Sequence, residues 1–164
     1  MRKFKKFIHF ITGVTLIRYI KRRIKLNQEL KIIQSFPKVN HACIISNNLT
    51  IKTVPIKMDG HLLGSFKIEL NKNYNDLNIV NLTGAVYILN RKRHSVYHHP
   101  HIWASRSYPT NTTFCLGNIS DFVKRLYREK EYSTVILLLI QFLEEGYGWQ
   151  EWDKKECLSH WPKA

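Results

Sequence analysis

Apolar residues recur at helical spacing at the start of the chain: Phe4, Phe7, Ile8 and Ile11, with Arg2, Lys3, Lys5 and Lys6 between them. That spacing predicts a short basic amphipathic helix. After Gly13 a longer helix is predicted from Val14 to Ser35. Its apolar stripe of Ile17, Ile20, Ile24, Leu26, Leu30 and Ile33 drifts around the axis. Phe36-Pro37 closes it, because the residue before a proline is pushed out of the helical region. The period then falls to that of strands. Ala42–Ser46 and Leu49–Ile56 flank Asn47-Asn48, a pair suited to a tight hairpin, and Asp59-Gly60 marks the next turn. Ser65–Leu70 alternates polar and apolar, Asn71–Asn78 reads as a polar loop, and Ile79–Leu89 as a further β-rich segment. From Asn90 to Ser120 no regular period is visible, and the tract reads as a long irregular loop. Ser120-Asp121 is expected to cap a helical stretch through Tyr127. Tyr132 to Glu145 forms a longer helix with Tyr132, Val135, Ile136, Leu139, Phe142 and Leu143 inward, stopped by Gly146. A tail containing Trp149, Trp152 and Trp161 follows. The expected fold class is therefore α+β: an N-terminal helix, a four-stranded antiparallel meander, an irregular active-site loop and C-terminal helices. Residues 1–13 form a basic segment and residues 14–164 one domain.

The 164 residues suffice for one well-packed core, and 44% hydrophobic content argues against whole-chain disorder. The net charge of +14 is uneven. Residues 1–38 carry eleven Lys or Arg against one acid, Glu29, whereas residues 39–164 carry fifteen against eleven. The excess charge suits an anionic partner at the N-terminus: a membrane, an acidic protein or nucleic acid. Phe7–Ile17 is broken by His9 and Thr12 and has no small-residue cleavage site after it, so it is not read as a signal peptide. Three widely spaced cysteines, Cys43, Cys115 and Cys157, argue against a disulfide framework and suit a reducing cytoplasm. The chain is read as soluble and cytoplasmic.

Chemistry concentrates in the tract without visible period. It holds four of the eight histidines, including His98-His99-Pro100-His101, and then Phe114-Cys115-Leu116-Gly117-Asn118. A cysteine beside groups that lower its pKa is a competent nucleophile near neutral pH, so this pairing suits acyl transfer through a thioester. Cys43, among Ala42, Ile44 and Ile45, reads as a small buried hydrophobe, and Cys157 as incidental.

The motifs His99-Pro100-His101 and Cys115-Leu116-Gly117, with the element order around them, resemble the ubiquitin-conjugating enzymes, and most closely the bacterial members of that superfamily. The eukaryotic enzymes carry His-Pro-Asn, so His101 stands where their asparagine supports the oxyanion. The stretch Ala104–Thr113 lengthens the interval to the cysteine. The resemblance implies that Cys115 accepts a protein C-terminus as a thioester and passes it to an amine on a target protein. It implies His101 as a candidate donor to the oxyanion, His99 and Pro100 as structural residues of the loop, and Asn118 as a residue that orients the thioester or the incoming amine. Asp121 reads as a helix cap rather than a base. The implied partners are a separate activating enzyme, and a ubiquitin-like protein or a cGAS-like nucleotidyltransferase as cargo, as in bacterial antiviral defence operons. No Gly-rich nucleotide loop is present, so activation is expected to come from another polypeptide. No cofactor is implied.

Three other readings remain open. His94, His98, His99, His101 and Cys115 are zinc-binding residue types, although they lack two compact pairs and lie among Arg91, Lys92, Arg93 and Arg106; no metal is expected. A non-catalytic binding module of the conjugating-enzyme type is the second. A basic nucleic-acid- or membrane-binding protein is the third.

Overall fold

The computed structural model describes residues 20, 24–45, 48–71, 77–90, 93–146 and 157–164. The basic segment 1–13, with its expected helix, and Trp149 and Trp152 lie outside the described residues. Within them the chain is helical at residue 20 and over residues 24–34 (α1). Two strands follow, β1 (Val39–Ile45) and β2 (Asn48–Thr53), and then a tight hairpin of β3 (Ile56–Met58) and β4 (His61–Gly64). The chain returns through β5 (Phe66–Leu70) and β6 (Asn78–Asn81) and enters β7 (Val86–Asn90), β8 (Arg93–His99), β9 (Ile102–Ser105) and β10 (Tyr108–Phe114). A 3-10 turn at Gly117–Ile119 leads into α2 (Ser120–Glu129) and α3 (Tyr132–Glu145).

This corrects the expected fold class. The described residues are mostly β: ten strands in three sheets with three helices, not an N-terminal helix, one four-stranded meander and C-terminal helices. One sheet has the order β1-β2-β5-β6, a second β10-β9-β8-β7, and β3-β4 stands as a pair. The tract read as an irregular loop holds three strands of the second sheet, β8, β9 and β10. Its period is hidden because histidine and threonine occupy strand positions that a hydropathy pattern scores as polar. In β8, Val96, His98 and His99 are all buried, and β10 is built from Thr110, Thr112 and Thr113, β-branched residues that favour strands.

The first sheet follows its sequence closely. Ala42 pairs with Ile51, Ile51 with Ile68 and Ile68 with Ile79, giving one buried apolar row across four strands. Burying such a row contributes roughly 1.5–3 kcal/mol per large side chain. The expected strand Leu49–Ile56 breaks at Pro55, which has no N–H for a ladder, so β2 ends at Thr53. The Thr53 hydroxyl accepts from Phe66 N at 2.9 Å and so satisfies a buried donor at the start of β5. Asp59 (φ 46°) and Gly60 (φ 78°) both take positive φ, the backbone of a two-residue hairpin turn that matches strand twist.

α3 has the expected bounds and presents Val135, Ile136, Leu139, Phe142 and Leu143 to the core, with Phe142 fully buried. Its N-terminus is capped from a distance. The flanking residue Glu131 makes no side-chain cap bond; instead the buried carboxylate of Glu29 on α1 accepts from Ser133 N at 2.6 Å. A negative group at a helix N-terminus is favoured by the orphan N–H groups and the helix dipole. Lys25, one turn earlier on α1, pairs with Glu131 at 2.8 Å. α1 is thus fixed on the α2–α3 corner by polar contacts as well as by Leu30 and Ile33. α2 lacks the expected cap: Asp121 makes no cap bond, is exposed, and sits 3.4 Å from Lys124.

The last residues close over the β3–β4 hairpin. Leu62 N donates to Pro162 O (2.9 Å), Ala164 N to Gly60 O (2.7 Å), and His61 Nδ1 to Trp161 O (2.9 Å). The Trp161 ring is buried, and its indole N–H donates to Gly84 O at 2.6 Å. Among the described residues no helix is long and apolar enough to cross a membrane.

Replacing Glu29 by Ala leaves the Ser133 N–H buried without its acceptor and is expected to cost about 1–3 kcal/mol of stability. Glu29→Gln keeps an acceptor oxygen and should lose less. Urea denaturation of the two variants checks this; equal losses would mean that the carboxylate does not cap α3.

Candidate functional site

The two motifs singled out in the sequence meet at one end of the second sheet. β8 and β9 are joined by the two-residue turn Pro100-His101, with His99 paired to Ile102. Proline at the first corner presets φ for such a turn. Phe114, the last residue of β10, pairs with the same Ile102. One step further the Cys115 N–H donates to the His101 carbonyl at 3.1 Å, so the cysteine backbone is tied to the turn. Leu116 is buried and anchors the next position. Gly117 turns the chain with φ 56°, a left-handed conformation that glycine adopts without a Cβ penalty. Cys115 is exposed on this bend, Asn118 is exposed three residues on, and α2 begins at Ser120.

The imidazoles of His99 and His101 both lie in the core. His99 is fully buried: its Nδ1 accepts from His101 N at 3.1 Å and its Nε2 faces Leu143 O at 3.2 Å. Because a carbonyl only accepts, Nε2 carries the proton, and His99 is held as one neutral tautomer. Its ring also packs against Phe142 (centroids 5.2 Å) and edge-on against Phe66 (6.2 Å). His101 is 2% exposed, stacked on His99 (5.9 Å) and packed against Phe142 (5.5 Å). An imidazole so placed is packed into the core, whereas Cys115 is exposed. What ties His101 to the cysteine turn is its backbone carbonyl. The histidines of this turn, His98, His99 and His101, are all buried. A cavity of about 190 Å³ lies away from this turn, lined by residues that include Phe36, Pro37, Leu137 and Ile140.

His98 is the residue whose importance the motif did not reveal. Its Nδ1 accepts from Asn81 N (3.0 Å) and its Nε2 donates to Pro109 O (2.7 Å), so one neutral ring links β6, β8 and β10. Burial pushes its pKa below the usual histidine value, against smaller opposing effects from the two backbone bonds. Asn81 completes the joint. It is buried, donates to Leu63 O (2.6 Å) and His98 O (2.9 Å), and accepts from Thr83 N (3.1 Å) and Gly84 N (2.8 Å). The run Asn81-Leu82-Thr83-Gly84 carried the signal of such a side-chain-closed turn. The edge contact continues where Thr112 Oγ1 donates to Asn78 Oδ1 at 2.7 Å and Asn78 Nδ2 to Thr110 O at 3.3 Å.

None of the three cysteines is in a disulfide; Cys43 and Cys157 are half-buried, and Cys157 packs against the core cluster. Among the described residues no three His, Cys, Asp or Glu side chains gather as cation ligands. In His98 and His99 both ring nitrogens are committed to backbone groups.

Since His98 is neutral when folded, the unfolded chain takes up its proton first as pH falls. Its contribution to stability is present above about pH 6.5 and is lost progressively below it, by up to about 1.4 kcal/mol per pH unit, until the lower folded pKa is reached. Urea midpoints measured from pH 7.5 downwards should show this slope, reduced by one proton in His98→Gln; an unchanged slope would mean that His98 is not the group responsible. Comparison with protein-family models, with curated proteins and with solved structures gives no match for this chain.

Proposed function

We propose that this protein is an acyl-carrier transferase that holds a protein C-terminus as a thioester on Cys115 and passes it to an amine on a target. One observation carries the reading: the exposed thiol of Cys115 sits on a bend whose neighbours are fixed by the His101 carbonyl, buried Leu116 and the left-handed Gly117. A sulfur that is open to a macromolecular partner yet held by a fixed backbone suits transfer between large substrates, because positioning lowers the entropic part of the barrier. The motifs His99-Pro100-His101 and Cys115-Leu116-Gly117 add the cargo class through their resemblance to bacterial relatives of the conjugating enzymes.

In the first step the Cys115 thiolate attacks the activated C-terminal carbonyl. A new carbon–sulfur bond forms and the thiolate of a separate activating enzyme leaves. In the second step an amine attacks the thioester, a carbon–nitrogen bond forms, the Cys115 thiolate departs, and the amine proton passes to solvent. Oxyanion stabilisation falls to Asn118, exposed on the 3-10 turn beside the cysteine. His99 and Pro100 hold the turn. The cargo in this reading is a ubiquitin-like protein or a cGAS-like nucleotidyltransferase, and the setting is the cytoplasm, where the thiol stays reduced.

Incubation with candidate cargo, activating enzyme and ATP should give a reductant-sensitive adduct, lost in Cys115→Ala and trapped as a reductant-stable ester in Cys115→Ser. Adduct that persists in Cys115→Ala would move the chemistry off this sulfur. Asn118→Ala is expected to slow discharge to amine by about 10²-fold while leaving loading nearly unchanged. Single-turnover discharge assays measure this, and equal effects on both steps would remove Asn118 from the role.

A further inference from the structure

Beyond thioester transfer, we propose that the outward face of the β7–β10 sheet binds single-stranded nucleic acid. The strands of this sheet bury one side. Val96, His98, Ile102 and Ala104 are buried on the side turned to the core. β9 shows the alternation most plainly: Ile102 and Ala104 are buried, Trp103 is half-buried and Ser105 is exposed. The register carries that alternation to the neighbouring strands. Trp103 pairs with Tyr97 on β8 and with Thr113 on β10, and Ser105 pairs with Tyr108 on β10. Residues paired directly across a ladder share a face, so Tyr97, Trp103, Tyr108 and Thr113 belong to the outward side. Tyr108 is 70% exposed, Thr113 is exposed and Tyr97 is half-buried.

Three aromatic residues on three adjacent strands make a surface on which flat rings can stack. Neighbours set diagonally across two strands lie about 7–8 Å apart, which brings Trp103 and Tyr108 within reach of two bases of one strand. Tyr97 also packs against the core cluster, which fixes its end of the row. Ser105 and Thr113 are small and offer hydroxyl donors and acceptors without covering the rings.

Charge names the partner. Residues 77–120, which include β6 and the whole of this sheet, contain none of the chain's twelve Asp and Glu. They contain Arg91, Lys92, Arg93 and Arg106. Arg106 is exposed in the turn that leads to Tyr108. The β7–β8 ladder ends at Asn90 and Arg93, and Ser95 pairs with Ser105, so β8 starts at the same end of the sheet as that turn. An apolar partner would use the rings and leave the cations idle. A duplex would meet the cations, but its bases are already stacked on one another and offer nothing to the rings. A single strand uses both, with bases on the aromatic side chains and phosphates on the cations.

The test is fluorescence anisotropy of the full chain with labelled single-stranded RNA, single-stranded DNA and duplex DNA of the same mixed sequence. Single strands should bind more tightly than the duplex, and more weakly as salt is raised. The stronger of the two single-stranded arms names the strand. Tyr108→Ala should lose about tenfold in affinity for single strands at an unchanged melting temperature. Arg106→Gln should lower the slope of log affinity against log salt by about 0.7, the share of one phosphate contact. Equal or tighter binding to the duplex overturns the proposal. Undiminished binding by Tyr108→Ala does so too, and is the result expected if the cations of residues 1–38 alone supplied the affinity. Absence of binding to either single strand also overturns it. None of these outcomes bears on the Cys115 adduct.

Discussion

Two uncharged imidazoles, each accepting a backbone hydrogen and giving one back, hold the middle of this protein together. His98 spans from Asn81 to Pro109 and so joins the edges of two sheets. His99 spans from the backbone of its own turn to the Leu143 carbonyl on α3, joining sheet to helix. A ring in this position has to be neutral. A second ring proton on His98 would point at the Asn81 N–H, and burial already disfavours the charge. The same arrangement leaves neither ring nitrogen of His98 or His99 open to a cation, because all four are committed to the main chain.

The cysteine turn inherits its order from that joint. Cys115 is connected to the histidines by one backbone bond to His101 and by the pairing of Phe114 with Ile102. The imidazoles are thus buried while Cys115 is exposed. In the transfer proposed above, donors to the reacting carbonyl would come from Asn118 or from a partner.

Legibility in the sequence followed the kind of residue that each element buries. α3 was readable to its ends because its inward face is made of Val135, Ile136, Leu139, Phe142 and Leu143, and Gly146 stops it. β5 and the Asp59-Gly60 turn were equally plain, the first from alternation and the second from residues that tolerate positive φ. The second sheet was not legible. Its strands bury His98 and His99 beside Val96, and its last strand is mostly exposed and carries three threonines, so the hydropathy signal vanishes where the β-propensity signal persists. The cap of α3 was invisible for another reason: Glu29 lies 104 residues before the N–H it serves, and no local pattern can announce such a bond. At the candidate site the sequence located the two motifs that meet. The burial of the His101 side chain was not legible, because proximity along a turn says nothing about which face of the backbone an imidazole takes.

The strap over the β3–β4 hairpin bears on how the molecule assembles. Leu62 and Gly60 find their partners in Pro162 and Ala164, and Gly84 finds its own in Trp161, all contacts between residues 77 or more positions apart. The hairpin therefore leaves the ribosome roughly a hundred residues before the groups that close it, and waits with its outer edge unpaired. Contacts of such long reach slow folding and expose strand edges in the interval. A nascent chain of this kind is a natural client for a chaperone that shields β-edges until the closing residues emerge.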